Sequence, residues 1–288
     1  MIGLLRTGAT SVFGIKTAVK SAIKAVRTKE VLPIQKVTDS SKTLEGKVAF
    51  IAGGSGGIGM AVAEAFLDSG AKVVLGGTKI EKLKACSKKL NCAERVEYVV
   101  VDASDANASD SIVAEAMSAF GKIDIFVMSS GVHTEGVDFW TLTPEEYDRV
   151  LSINLRGAFF LSRAVAQCMI DTHTRGHILL VNSSRGFEPA WSPYGISKWG
   201  LKGFTQGLAQ TLLPFGIVVN GIAPGSTATP LIGVDEGDTI SSGENGVGRL
   251  ATPTEIAEWV KMLAGPAGDM VVGETVLVAG GRGGIDVR

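Results

Sequence analysis

The sequence predicts an α/β fold: a doubly wound sheet of about seven parallel strands with helices on both faces, in a single domain. Three observations carry that prediction. Short runs rich in valine and isoleucine recur from about residue 46 onward. Stretches of helical periodicity separate them. A glycine-rich turn follows the first run directly. A strand covered on both faces reads as a continuous apolar run, whereas a strand with one wet face alternates apolar and polar residues. The runs here do not alternate, and strand–helix–strand repetition implies right-handed crossovers into a parallel sheet.

The elements follow in order. The strand runs are KVAFIAG (47–53), AKVVLGG (71–77), VEYVVVD (96–102), IDIFVMSS (123–130), HILLVNSS (177–184), IVVNGIAP (217–224) and ETVLVAGG (274–281). Helical stretches such as GMAVAEAFLDSG (59–70), DSIVAEAMSAFG (110–121) and AFFLSRAVAQCMI (158–170) lie between them. No proline-, glycine- or serine-rich tract divides residues 44–288. An open parallel sheet binds ligands outside the carboxyl ends of its strands, so the loops after each strand are the ones to inspect.

Bulk composition narrows the function. The chain has 288 residues, 45% hydrophobic and 20% charged, enough to bury a sizeable core. Thirty-seven glycines against 9 prolines indicate tight turns and close backbone approaches rather than disorder. A formal net charge of −1 gives no reason to expect a nucleic-acid partner. Three cysteines, Cys86, Cys92 and Cys168, form no C-x-x-C pair; this argues against a disulfide framework or zinc site and for a reducing compartment, with the cytoplasm expected. No apolar run reaches the ~18 residues of a membrane span.

Two stretches point to chemistry. AGGSGGIG (52–59) joins the first strand to the first helix. Gly53, Gly57 and Gly59 let the backbone turn tightly, and the following helix presents its positive end, which suits a pyrophosphate. SPYGISKWG (192–200) places Tyr194 and Lys198 four apart, on one face of a helix. A free phenol has a pKa near ~10, and a cation about 4 Å away at an effective dielectric near 20 is worth roughly 4 kcal/mol, or about three pKa units. That pair alone is commonly a surface contact; with the glycine loop it reads as an acid/base and its tuning cation.

Gly53-x-x-x-Gly57-x-Gly59 together with Tyr194-x-x-x-Lys198 resembles the short-chain dehydrogenase/reductase family. The resemblance extends over roughly residues 44–284, through VVVDASD, DFWTLTPEEYDRVLSINLRGAFF, ILLVNSSRG, VNGIAPGSTATPL, GRLATPTEIAEWVKMLAG and VVGETVLVAGG in that order. It implies a Rossmann fold and hydride transfer between NAD(P)(H) and a small carbonyl or alcohol substrate. It assigns Tyr194 as acid/base, Lys198 as its partner and a ligand of the nicotinamide ribose, Ser184 as the donor that orients the substrate oxygen, and Asn154 as the holder of a water that relays the proton. It places the cofactor against Gly53, Ser55, Gly57, Ile58 and Gly59, against Thr78 and Lys79, against Asp102 and Ala103 by the adenine, against Ser130 and Gly131, and against Pro224, Gly225, Thr227 and Thr229, as well as Tyr194 and Lys198. It implies a homotetramer or dimer with the 158–170 helix at the interface.

The chain departs from the family pattern in several places. Ser184 lies closer to Tyr194 than is usual, so the RGFEPAWSP loop is short and Ser183 stands as the fallback. Ala52 replaces a threonine, MSSG (128–131) stands where Asn-Asn-Ala-Gly is common, and Ser226 and Thr227 replace apolar residues. Where NAD-selective members carry an acid after the second strand, this chain has Gly77, followed by Thr78 and Lys79; an acid would repel a 2′-phosphate. Those residues and Ser55 offer donors, so NADP is favoured over NAD, although no arginine clamp is present and position 56 is glycine. A non-catalytic dinucleotide-binding protein, or a structural subunit of a larger assembly on the same fold, is the competing reading.

Other features carry less. His173 and His177 are separated by a strand start and form no metal pair. His133 follows a cofactor-side strand and could line the pocket, although a loop histidine without a role is the simpler reading. Trp140, Phe187 and Trp191 are candidates for the substrate pocket, and the acidic, glycine-rich segment 231–248 for its lid. Residues 1–43 form a separate basic extension: residues 1–29 carry six lysines and arginines and no acid, leaving −7 (−1 minus 6) for the rest. Val12, Ile15, Val19, Ile23 and Val26 fall on one helical stripe. Packing on this protein or a neighbouring subunit, mitochondrial targeting and an anionic membrane surface all stay open for it.

Overall fold

The computed structural model describes residues 42–235 and 237–285. Among them, seven strands form: β1 (Val48–Ala52), β2 (Lys72–Gly77), β3 (Val96–Val100), β4 (Ile125–Met128), β5 (His177–Val181), β6 (Val218–Pro224) and β7 (Thr275–Val278). All pair in parallel, in the order β3-β2-β1-β4-β5-β6-β7. The chain winds outward from β1 to β3, then returns to β4 on the other side of β1. That reversal opens a crevice between the carboxyl ends of β1 and β4.

Side chains of a strand point alternately to its two faces, so β1 feeds two cores at once. Val48, Phe50 and Ala52 join Ile112 and Val113 of α3 (Ser109–Phe120), Leu161 and Val165 of α5 (Ala158–Asp171), and Leu201 and Leu212 of α6 (Pro193–Leu212). Ala49 and Ile51 join Val62 and Phe66 of α1 (Gly57–Asp68), Leu83 of α2 (Ile80–Leu90), and Ile256 and Val260 of α7 (Pro253–Ala264). Burial on both faces is why the inner strands read as unbroken apolar runs.

Five strands end before their apolar runs do, whereas β2 and β6 reach the ends of theirs at Gly77 and Pro224. Gly53 turns the chain at φ 86°, with Ser129 N donating to Ala52 O on one side and Gly53 N to Gly76 O on the other.

Helix starts are set by local chemistry. Thr252 and Glu255 form a capping box on α7, Ser192 caps α6, and Thr143 caps α4 (Pro144–Leu151), each followed by proline at the first helical position. α1 begins after Gly56 with no side-chain cap and no acid in its first turn. Its N–H groups and positive end are therefore left to whatever lies in the crevice.

The chain stays helical from Pro144 to Asp171, but not as one regular α-helix. A π-helical turn, Ser152–Gly157, separates α4 from α5. Gly157 is pressed against the loop after β3: a Cβ there would sit 2.1 Å from Ala103 O. The wider turn swings Asn154 inward, where it is 2% exposed. The extension at 1–43 lies outside the described residues except for positions 42 and 43.

Candidate active site

The glycine loop is a cradle built by contact with three other strand ends. A Cβ on Gly53 would lie 2.6 Å from the backbone of Ser129 and Ser130, and one on Gly59 would lie 2.2 Å from Gly53 O. A Cβ on Gly57 would meet Thr229 Cγ2 at 2.5 Å, and one on Gly77 would meet Ser55 Oγ at 2.8 Å. Residues proposed for the cofactor from separate motifs are thus in mutual contact. Ile58 is half-buried on the second core, and Thr78 and Lys79 are exposed at the end of β2. The hydroxyls of Thr227 and Thr229 donate to the carbonyls of Gly225 and Thr227, which stiffens the loop that follows Pro224. Asp102 accepts from Ser104 N at 2.9 Å and Ser104 Oγ at 2.6 Å, holding the turn that carries Ala103. An uncapped helix end facing a side-chain-free loop fits a dinucleotide pyrophosphate.

The second cluster adjoins this cradle. Tyr194 lies in the first turn of α6 and Lys198 in the next. A Cβ on Gly131 would lie 3.4 Å from Asn154 Oδ1 and 3.8 Å from Lys198 Nζ, so this proposed cofactor residue adjoins both. Lys198 is 5% exposed, donates to Val181 O at 2.9 Å and lies 5.6 Å from the centre of the Tyr194 ring. Asn154 Oδ1 accepts from Val132 N at 2.8 Å, and Nδ2 donates to Val132 O at 2.9 Å and Ser197 Oγ at 3.3 Å. Its amide thus pins the loop after β4.

The structure sets the two serines apart. Ser183 lies beside the Tyr194 phenol and lowers its pKa, and its hydroxyl accepts from Arg185 N at 3.2 Å. Ser184 is buried at the head of the one-turn helix Ser184–Gly186, its carbonyl accepting from Phe187 N. The backbone separates them: Ser183 stays extended (φ −163°) beyond the end of β5, whereas Ser184 turns into the one-turn helix.

The charges also differ from expectation. Burial holds the Tyr194 phenol above its usual pKa, with Ser183 and Arg185 pulling it partly back. Burial brings Lys198 down to about 8. Removing water from both groups outweighs their mutual tuning here, because the ammonium directs its hydrogen bond to Val181.

This has a measurable consequence. Below about pH 8 the folded and unfolded states both carry the Lys198 proton, and folding bears the full cost of burying it. Between about 8 and 10.5 the folded state alone releases it, so that cost fades as pH rises. Lys198→Met is expected to stabilise the fold by about 2 kcal/mol at pH 7, less by pH 10, while removing turnover. Thermal melts of both proteins at the two pH values test this; an equal gain at pH 10 contradicts it.

His133, set aside in the sequence as a loop histidine, lies against the phenol. Its ring stacks on Tyr194, centroids 4.1 Å apart and 25° between planes. Burial first, then Lys198 and Arg185, hold its pKa down. Thr134 Oγ1 accepts from Tyr194 N at 3.3 Å, and Arg149 Nη2 grips His133 O at 2.7 Å. Nothing in the local sequence distinguishes this histidine from any other in a loop. The same two loops bring Phe139 edge-on to Trp140 and Trp191, at 5.1 and 6.5 Å. Phe187 instead lies under the Lys202 ammonium, 3.7 Å from its ring centre. His177 pairs with Asp269 at 3.2 Å at the opposite end of β5, away from this cluster.

Comparison with known proteins accords with this arrangement. The family model described as short chain dehydrogenase matches residues 47–237. The short-chain reductase protein NovJ of Streptomyces niveus is 34% identical over 82% of this chain and 93% of its own. The 3-oxoacyl-acyl-carrier-protein reductase FabG of Vibrio cholerae is 32% identical over 83% of this chain and 98% of its own. Among solved structures, the 3-ketoacyl-acyl-carrier-protein reductase of Brucella melitensis complexed with NADH superposes with a TM-score of 0.75 at 30% identity, covering 83% of this chain and 99% of that one.

Proposed function

Since the chain belongs to the short-chain dehydrogenase family, a family of oxidoreductases, we propose that it interconverts a carbonyl and an alcohol with NADP(H), with Tyr194 as proton donor and acceptor. The observation that carries this reading is the junction at Gly131, where the glycine cradle meets Asn154 and Lys198. A bound nicotinamide supplies or accepts the hydride. The residues of the chain do the rest. Ser183, beside the phenol, is placed to orient the substrate oxygen. Tyr194 moves the proton to or from that oxygen. Lys198, His133 and the Val132 loop held by Asn154 keep water out and the phenol in place.

The preference for NADP rests on Gly77. The space a Cβ would take is held by Ser55 Oγ and Leu83, which leaves no room for an acid, and Thr78 and Lys79 face solvent beside it. The aromatic rim of Phe139, Trp140 and Trp191 supports an apolar carbonyl substrate; relatives named for acetoacetyl-CoA and hydroxysteroids span that chemistry. The half-exposed Phe159 on α5 and Trp199 on α6 support pairing with a second copy. No helix among the described residues is long and apolar enough to cross a membrane. The three free cysteines support a reducing compartment such as the cytoplasm.

Parallel fluorescence titrations with NADPH and NADH test the reading. NADPH is expected to bind at least about tenfold more tightly, and Gly59→Val, whose side chain would strike Gly53 O, to abolish both signals. Tighter NADH binding would overturn the cofactor preference; binding of neither would overturn the function.

A further inference from the structure

Arg282 lies in the Gly-Gly-Arg-Gly-Gly turn at 280–284, just past β7, and its side chain reaches three loops. Its Nε donates to Glu188 Oε1 at 2.7 Å and its Nη2 to Glu188 Oε2 at 3.4 Å. Its Nη1 donates to Glu244 Oε2 at 2.7 Å and to Ser226 Oγ at 3.4 Å. The Ser226 hydroxyl donates in turn to the same Glu244 oxygen. Arg185 adds a further bond to Glu188 at 3.0 Å.

The backbone of the turn is fitted to the same loops. Gly283, at φ +76°, passes so close to the serine–tyrosine loop that a Cβ would lie 3.3 Å from Phe187 Cβ and Ser184 O. Gly280, at φ +60°, would place a Cβ 2.8 Å from Asn245 Cγ, and Gly246 N donates to Gly280 O at 3.0 Å. The turn is thus wedged between two segments, with the guanidinium bonded to both. Two departures from the family pattern, the short loop before Tyr194 and the polar Ser226, meet at this one side chain.

We infer that Arg282 is a positioning residue for the reaction centre: it fixes the loop between Ser183 and Tyr194, through Glu188, against the proline–glycine loop and the segment 241–248, through Ser226 and Glu244. The inference rests on the function proposed above. A planar guanidinium with two carboxylates on separate edges sets both distance and angle, which a point charge does not. Its side chain is 19% exposed and that of Glu188 16%, so salt screens this bridge weakly; the bridge to Glu244, 53% exposed, is screened more. Without it, Glu188 keeps only Arg185 and Glu244 only Ser226, and no side chain ties the two segments to each other.

The test uses the full chain and Arg282→Met, Arg282→Lys and Glu244→Gln. Arg282→Met is expected to raise the NADPH dissociation constant and the carbonyl KM by about tenfold, with kcat changed less than about threefold and its pH profile unmoved. Arg282→Lys restores part of the loss, and Glu244→Gln reproduces a smaller share if the methionine variant folds poorly. By hydrogen exchange, the amides of 185–191 and 242–248 are expected to exchange faster in Arg282→Met while the strands keep their protection. Unchanged dissociation constant and KM with a lowered melting point would reduce Arg282 to a structural tie and overturn the inference. So would faster exchange in only one of the two segments. If the wild-type chain binds no dinucleotide, the proposed function falls, and the exchange experiment alone decides whether the clamp exists.

Discussion

Tyr194→Phe is expected to lower carbonyl reduction by about a thousandfold or more while leaving NADPH affinity within about twofold. The substitution deletes one oxygen and keeps the ring, so the stack with His133 and the start of α6 survive. Deleted with it is the group that moves the proton, along with its contact with Ser183. Burial that holds the phenol above its usual pKa suits it to donate a proton in the reductive direction at neutral pH. Steady-state rates and a dinucleotide titration on the same preparation separate the two effects. Equal loss of rate and binding would mean the phenol supports the site rather than the chemistry.

The second large effect distinguishes neighbours. Ser183→Ala is expected to reduce turnover by about a hundredfold, and Ser184→Ala by less than about threefold. The Ser183 hydroxyl lies against the phenol and lowers its pKa; Ser184 does neither. The sign in pH follows from that contact. Removing Ser183 raises the phenol further, so alcohol oxidation, which needs the phenolate, sets in at higher pH in Ser183→Ala than in the wild type. The pH profile of oxidation for both variants measures this. A larger loss in Ser184→Ala would restore the assignment made from sequence.

These two serines show where the sequence stops being legible. The five inner strands are readable because burial on both faces writes itself as apolar runs, the half-buried edge strands β3 and β7 because their runs are still rich in valine, and the glycine loop because its spacing is a backbone requirement. Spacing alone offers two candidates at 183 and 184; only the course of the chain past the end of β5, extended at Ser183 and helical from Ser184, distinguishes them. Asn154 is visible as a residue, whereas the π turn that aims it depends on the contact between Gly157 and Ala103. The contacts of His133 and Arg282 are invisible for the same reason. Their partners, Tyr194 and Glu188, lie far away in the chain, and nothing local marks either residue. The balance of charge at Lys198 likewise depends on burial, which a four-residue spacing does not report.

The most direct test of the account is hydride tracing. The protein is incubated with NADPH deuterated at the transferring position of the nicotinamide and with a panel of apolar ketones and aldehydes, beside the Tyr194→Phe variant. The account predicts an alcohol carrying deuterium on its carbinol carbon in the wild type, and little or none in the variant although it still binds the dinucleotide. A wild-type protein that binds the dinucleotide yet labels no alcohol, or a variant that labels it equally well, would contradict the assignment of Tyr194 as the proton donor of a carbonyl–alcohol oxidoreductase.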